Sequence, residues 1–302
     1  MAEKPDLSIV IVSYNTKQIT KNCLESIKQS LQNTTIKYEV IVVDNASTDD
    51  SQSQISRLRQ DYGGQAKFKT IFNTNNVGFA KANNQAVKEA RGKYLLFLNS
   101  DIIVLDNAIE KLFQFYQQNE KTIHFLGGKL LNKDLTSQAS CGPAYSLPMV
   151  FAHLFLRGDY WGLTRSSPNQ VKEVDWVSGA CILTKKEYFQ KINGFDEKIF
   201  MYMDEIDLLF RAKKKGYRVF FYPKAEFIHL GSASSGGRTY PILQVFKGLL
   251  YFYKKHYSIQ AIFLLKIMLK LKSLVAYLIG KITRNQYLTK TYEEAFRLVE
   301  MA

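Results

Sequence analysis

Short apolar runs recur along the first 131 residues, and most stop abruptly in polar, turn-prone side chains. Leu7–Ser13 closes on Ser13-Tyr14-Asn15, 38–43 on Asp44-Asn45-Ala46-Ser47, 68–72 on Asn73-Thr74-Asn75-Asn76, and 94–98 on Asn99-Ser100-Asp101; 124–131 is a further run. Between them lie segments of helical spacing: Ile19, Cys23, Leu24, Ile27 and Leu31, then 51–58, 78–90 and 108–116. Runs apolar throughout, alternating with helices, predict an α/β fold with a mostly parallel, Rossmann-like sheet covered on both faces. Open sheets of that kind bind ligands at the carboxyl ends of their strands. The polar clusters should therefore line one crevice.

The rhythm changes after residue 135. The span 136–170 carries Gly142-Pro143, Pro148, Arg157-Gly158-Asp159, Tyr160-Trp161-Gly162 and Pro168, and reads as a long insertion whose aromatics either contact an acceptor or pack on the sheet edge. A strand over 174–184 is interrupted at Ser178-Gly179-Ala180, which marks a bulge or a close backbone approach. A short helix follows over 185–192, and a helix over 204–215 opens on Asp204-Glu205-Ile206-Asp207. Two strands, 218–222 and 225–230, precede a Gly/Ser loop at 231–237, and the second carries His229.

With 302 residues, one large domain over 1–239 (donor half 1–132, acceptor half 133–239) and a basic helical tail over 240–302 are expected. Half of the net charge of +14 comes from that tail, where ten Lys and Arg face three Glu. Such an excess suits an anionic surface. Within it, 259–279 resembles a membrane span, but Lys266, Lys270 and Lys272 would each cost about 2.5–3.5 kcal/mol at a bilayer centre. Lys266, Lys270, Ser273, Tyr277 and Lys281 fall on one helical stripe, with Lys272 off it. The stripe fits a helix lying on an anionic membrane surface, or one packed on the protein itself. Cys23, Cys141 and Cys181 form no CxxC pair and imply no disulfide framework. The run Leu7–Val12 is too short for an export signal, so a cytoplasmic protein, peripheral on the inner face of the plasma membrane, is expected.

Moving a sugar off a nucleoside diphosphate requires holding the nucleotide, neutralising the departing diphosphate and taking the acceptor proton. Asp101 is the candidate ligand for a divalent cation, Mg2+ or Mn2+, with His229 as the second. Asp44 can accept from a base or ribose, or cap the turn at Ser47. Asn76, Gly78, Lys81 and Asn83 stand where a strand meets a helix, a place suited to phosphate. Asp204, Glu205 and Asp207 occupy a helix's first turn, where carboxylates complement the dipole. Apolar neighbours Phe200, Met201, Tyr202 and Met203 would lift a carboxylate toward the range of a general base.

Taken together, these residues resemble glycosyltransferase family 2, of GT-A fold, over about residues 7–235. Ser8-Ile9-Val10-Ile11-Val12-Ser13-Tyr14-Asn15 and the 40–49 segment are similar to its donor-binding start. Asn75-Asn76-Val77-Gly78-Phe79-Ala80 with Asn83-Asn84 is similar to its Asn-x-Gly-Phe segment, and Leu98-Asn99-Ser100-Asp101 to its Asp-x-Asp motif. Trp176–Val177 with Ser178-Gly179-Ala180, then Gly194-Phe195-Asp196-Glu197, then 202–208, resembles its acceptor and catalytic half. The resemblance implies donor contacts at Ser13, Tyr14, Asn15, Asp44, Asn76, Gly78, Lys81, Asn83, Asn99, Ser100, Asp101 and Gly179. It implies acceptor contacts at Trp176 and Asp207, a metal at Asp101 and His229, and a general base at Glu205 with Asp204 as its rival. It is closest to a rhamnosyltransferase-like branch using dTDP-β-L-rhamnose, whose members continue into a basic segment like Lys254-Lys255-His256. Asn99 replaces the first acid of the fuller metal motif, and Asp204-Glu205 reverses the usual Glu-Asp order.

The implied partners are a nucleotide-sugar donor, a glycan or polyprenyl-linked acceptor and an anionic membrane surface. Two alternatives are a nucleotide-sugar-binding protein without transfer and a transferase using a UDP-hexose. Nucleic-acid binding is disfavoured because an acidic sheet edge repels phosphate backbones. A dinucleotide oxidoreductase is disfavoured because no Gly-x-Gly-x-x-Gly follows the first strand.

Overall fold

The computed structural model describes residues 4–61, 66–231 and 239–302, so the Gly/Ser loop expected over 231–237 lies, beyond Gly231, outside the described residues. β1 (Leu7–Ser13), α1 (Lys17–Ser30), β2 (Tyr38–Asp44), α2 (Ser51–Asp61), β3 (Ala66–Phe72), α3 (Phe79–Glu89) and β4 (Tyr94–Asn99) follow the expected alternation. These four strands are all parallel, in the order β3-β2-β1-β4. Successive strand residues point to opposite faces. Val10, Ile41, Val43, Leu95 and Phe97 accordingly join the core under α3, while Ile9, Ile11, Val40, Val42, Leu96 and Leu98 join the core under α1.

The second half is mixed. It runs through β5 (Ile102–Val104), α4 (Ala108–Gln118), β6 (Phe125–Leu131), β7 (Ser137–Gln138), β8 (Cys141–Gly142), α5 (Leu147–Phe155), β9 (Lys172–Val174), β10 (Trp176–Val177), β11 (Cys181–Lys185), α6 (Lys186–Lys191), α7 (Asp204–Lys214) and β12 (Val219–His229). The sheet continues β4-β11-β6-β12-β5, with β11 antiparallel to both neighbours and β12 parallel to β6. β12 then pairs antiparallel with β5, setting His229 opposite Ile102.

Three expectations are corrected here. The insertion over 136–170 holds a helix, α5, because Pro148 sits in its first turn, where no backbone donor is required. The strand over 174–184 is three short pieces, broken at Asp175 and at 178–180. The two strands after residue 217 are one, since a register shift between Tyr222 and Glu226 absorbs Pro223 as a bulge.

α8 (Thr239–His256), α9 (Ile259–Ile282) and α10 (Gln286–Met301) complete the chain. The boundary expected near residue 239 falls between β12 and α8. Leu249, Phe252 and Tyr253 of α8 share a core with Ile206 and Leu209 of α7. No helix among the described residues is long and apolar enough to cross a membrane. α9 buries Leu265, Leu269, Ser273, Ala276 and Gly280. Ser273, expected on the polar stripe, therefore faces inward and donates to Leu269 O. Lys272, expected off the stripe, donates to Leu154 O of α5 at 2.8 Å. The side left exposed is apolar, from Ile259 through Phe263, Ile267, Leu271 and Leu278 to Ile282. Cys23, Cys141 and Cys181 are free and buried. Burial pushes the Cys23 and Cys181 thiols up to about 12, which makes them inert.

Candidate active site

A cleft of about 580 Å³ opens where the polar end of β4 meets the first turn of α7. At one end lie Asn99, Ser100, Asp101, Gln138 and His229. The pairing of β12 with β5 makes this end: Leu230 N donates to Asp101 O at 3.0 Å, and His229 Nε2 stands 3.4 Å from Asp101 Oδ1. Gln138 orients the imidazole. His229 Nδ1 contacts Gln138 Oε1 at 2.6 Å, and Gln138 Nε2 donates to His229 O at 3.1 Å. An amide oxygen can only accept, so Nδ1 carries a proton, and it is the neutral ring that offers a lone pair at Nε2. Asn99 Nδ2 lies 3.4 Å from that Nε2, while Asn99 Oδ1 is buried without a hydrogen-bond partner.

A carboxylate, an imidazole lone pair and an unsatisfied amide oxygen suit Mg2+ or Mn2+. Among the described residues no group of three or more His, Cys, Asp and Glu is placed to hold a metal. The chain itself thus offers two such ligands, and ligand oxygens or water would complete the shell.

Asp204, Glu205 and Gly179 line the same cleft. The turn entering α7 is strained, for Tyr202 and Met203 are both left-handed, with φ 63° and 66°. Such residues cost about 1–3 kcal/mol each and cluster at functional sites. Two close approaches hold the turn. Phe79 N donates to Phe200 O at 2.8 Å, over Gly78, whose φ of +86° and whose 2.7 Å clearance from Phe200 O for any added Cβ require glycine. On the other side Gly248 lets α8 approach Met203, since a Cβ there would meet Met203 Cγ at 2.8 Å.

Asp204 is buried, and burial first, then the Glu205 charge, pushes its pKa well above the ordinary value. Glu205 is half-buried; burial raises it too, with backbone N–H groups and Arg165 opposing. Gly179 lies against its side chain, a Cβ there meeting Glu205 Cβ at 3.5 Å.

Other anticipated residues lie outside the cleft lining. Ser13 is buried, and its hydroxyl is shared with Thr16 and Thr20; Thr16 reaches the cleft instead. Tyr14 is half-buried, and Asn15, with φ 51°, ties two loops together: its N–H donates to Ser47 Oγ and its Oδ1 accepts from Thr48 N. Asp44 caps the turn, for Oδ1 accepts from Ser47 N and Gln52 Nε2, while Oδ2 is buried without a partner. Asn76 accepts from Asn45 Nδ2 and Gly78 N. Lys81 is exposed on α3, and Asn83 is buried against Phe79 O, so neither meets the cleft. Trp176 does line it, its Nε1 donating to Pro143 O at 2.8 Å.

Asp207 is turned away from the cleft. Fully buried, it accepts from Arg211 Nε at 2.6 Å and Lys255 Nζ at 2.8 Å, and meets His256 Nε2 at 2.7 Å. Burial raises its pKa, but these partners together outweigh that and hold it down at about 2. Two residues past Glu205 on a helix is the opposite face, so an acceptor contact at Asp207 has no path. Sequence reasoning missed Gln138, Tyr145, His153, Asp159 and Arg165, all on the 136–170 segment. Only the insertion's length signalled them.

Several known proteins are similar to this chain. It is 25% identical over 218 residues to the low-salt glycan biosynthesis hexosyltransferase Agl10 of Haloferax volcanii, a match covering 71% of this chain and 64% of that protein. It is 26% identical over 231 residues to rhamnosyltransferase WbbL of Escherichia coli, covering 73% and 82%. Over 72 residues it is 39% identical to N-acetylglucosaminyl-diphospho-decaprenol L-rhamnosyltransferase of Mycobacterium tuberculosis, covering 24% and 23%. The fold superposes, with a TM-score of 0.60 and 15% identity, on a mannosyltransferase from Pyrobaculum calidifontis solved with GDP-Man and Mn2+, across 100% of this chain and 76% of that one. Residues 8–149 match the model of glycosyl transferase family 2. Residues 8–149 therefore carry a glycosyl transferase family 2 domain, and the fold as a whole is of GT-A type.

Proposed function

We propose that this protein is an inverting, divalent-cation-dependent transferase that moves a sugar from a nucleotide-sugar donor to a glycan or lipid-linked acceptor, with L-rhamnose from dTDP-rhamnose as the sugar. The observation that carries it is one cleft holding Asp101, His229 and the orphaned Asn99 oxygen at one end and the raised Glu205 carboxylate at the other. The rhamnosyl assignment rests on WbbL and the mycobacterial relative.

Asp101, His229 Nε2 and Asn99 Oδ1 would hold Mg2+ or Mn2+, which when bound supplies charge stabilisation to a departing diphosphate. Asp44 Oδ2, buried without a partner and outside the cleft lining, would accept from the donor's base or ribose where the nucleotide extends past that lining. Glu205 takes the proton as the acceptor oxygen bonds to the anomeric carbon and the carbon–oxygen bond to the diphosphate breaks. One base beside one hydroxyl gives a single displacement, hence inversion. Asp204, buried where Glu205 is half-buried, is the less accessible base.

The acceptor is presented at a membrane. The exposed apolar side of α9 is bordered by Lys266, Lys270 and Lys281, each worth about 1 kcal/mol near an anionic surface. α5, which packs on α9, leads into exposed Tyr160 (77%) and Trp161 (69%), side chains suited to a lipid interface. The protein would then be peripheral on the cytoplasmic face.

Melting curves with dTDP-rhamnose, UDP-glucose, UDP-GlcNAc and GDP-mannose, with and without Mn2+, test the donor. Stabilisation by dTDP-rhamnose with Mn2+, and release of dTDP on adding acceptor, is expected. Preference for a UDP-hexose would replace rhamnose. Binding without release for any glycan or polyprenyl-diphosphate acceptor would reduce the protein to a nucleotide-sugar binder.

A further inference from the structure

Arg165 is a cation whose hydrogen-bonding capacity is largely unused. It lines the cleft beside Glu205, on the segment after α5. Nη2 donates to Ala139 O at 3.2 Å, and the guanidinium lies over Trp176, 5.6 Å from the ring centre. Nε is buried without a partner. Among the described residues no carboxylate lies within 4 Å of it. Its charge nonetheless pulls down both Glu205 and Asp159, against the burial that raises them. Asp159 is engaged elsewhere, by His153 Nδ1 at 3.1 Å and by the Thr164 hydroxyl.

A guanidinium carries five donors in a rigid fork, and a partly buried cation with donors unspent is costly unless a ligand anion meets it. The ring beneath and the carbonyl beside it restrain the fork. That preorganisation lowers the entropy lost on binding.

We propose that Arg165 binds a phosphate oxygen of a reactant in the cleft, which planar, paired N–H donors fit better than a lysine would. The inference rests on the transferase reading, under which two reactants carry diphosphate, the sugar donor and an acceptor linked through diphosphate to a lipid. Gln138, whose side chain orients His229, is followed directly by Ala139, whose carbonyl anchors Arg165. Arg165 lines the same cleft as Asp101, His229 and Glu205, so a phosphate it holds belongs to a reactant of that cleft.

Calorimetric titration of wild type, Arg165→Gln and Arg165→Lys with inorganic pyrophosphate, dTDP and dTMP in magnesium buffer tests it, together with transfer kinetics on a polyprenyl-diphosphate glycan and on an alkyl glycoside of the same sugar. Arg165→Gln is expected to weaken a phosphate contact about tenfold or more, with Arg165→Lys in between. Weaker binding of dTDP and pyrophosphate assigns the contact to the donor. Unchanged nucleotide affinity with a raised KM for the diphosphate acceptor, but not for the alkyl glycoside, assigns it to the acceptor. Either supports the inference. All constants within twofold of wild type, or a change only in melting temperature or in the pH dependence of turnover, overturns it. A wild type that binds no nucleotide sugar sinks the transferase reading instead, and loss of pyrophosphate binding in Arg165→Gln would still stand.

Discussion

Asp207 Oδ1 and His256 Nε2 lie 2.7 Å apart, joining the first turn of α7 to the last turn of α8 through a fully buried carboxylate. Lys255 spans from the same carboxylate to Asp196, and Arg211 from it to the carbonyls of Ile192 and Gly194. The turn after α6, the helix bearing Glu205 and the helix α8 are thereby held as one unit. The acid that sequence placed beside the acceptor serves as the anchor of the base.

Asp207→Asn is expected to cost about 3 kcal/mol, because it removes the buried charge on which the partly buried Arg211 and Lys255 converge. Its carboxyl sits at about 2 against an ordinary 3.8. The stabilisation it provides is therefore present above the unfolded value and lost as pH falls from about 4 toward 2. Urea unfolding between pH 6 and 2 should show that loss in wild type and not in the variant; parallel curves would refute it.

Glu205→Gln should reduce turnover by about 10²–10⁴-fold at saturating donor, with donor affinity unchanged. Because burial raises Glu205, the wild-type rate should rise with pH through a midpoint above the ordinary 4.5. If Asp204→Asn loses turnover and Glu205→Gln keeps it, the two roles must be exchanged.

Asp204 also makes a stability prediction of opposite sign to Asp207. A carboxyl raised in the folded state contributes fully below its unfolded pKa and loses that contribution as pH rises toward its folded value. Asp204→Asn should therefore melt at or above the wild-type temperature at pH 8. A clearly lower melting point would mean that the charged form is the one the fold stabilises.

Gln138→Leu should lower affinity for Mn2+ about 10–100-fold without removing a ligand, since second-sphere partners fix imidazole orientation. Asp101→Ala should abolish metal-enhanced donor binding. Full activity in excess chelator would refute both.

Replacing Phe263, Ile267 and Leu271 together by Gln should weaken sedimentation with anionic liposomes while leaving the melting temperature nearly unchanged, because all three are exposed. Equal binding to neutral and anionic vesicles, insensitive to the replacement, would make α9 a purely structural helix.

What the sequence determined by itself was local. Short runs apolar throughout and helical spacing between them were enough for the parallel half of the sheet, and Asp44 and Asp101 were legible as strand-end carboxylates because such ends share one edge. The tertiary structure decided what crosses long stretches of chain. His229 reaches Asp101 only because β12 turns antiparallel onto β5. Gln138, Arg165 and the partners of Asp207 came from segments whose spacing carries no signal of where they will fold. Nor could the spacing of α9 tell which side would be buried, since apolar residues stand on both, and only packing against α5 and α10 selected one. Periodicity records how a residue relates to its neighbours in the chain; a site is made by groups that burial and hydrogen bonding bring together from far apart, at distances no local pattern encodes.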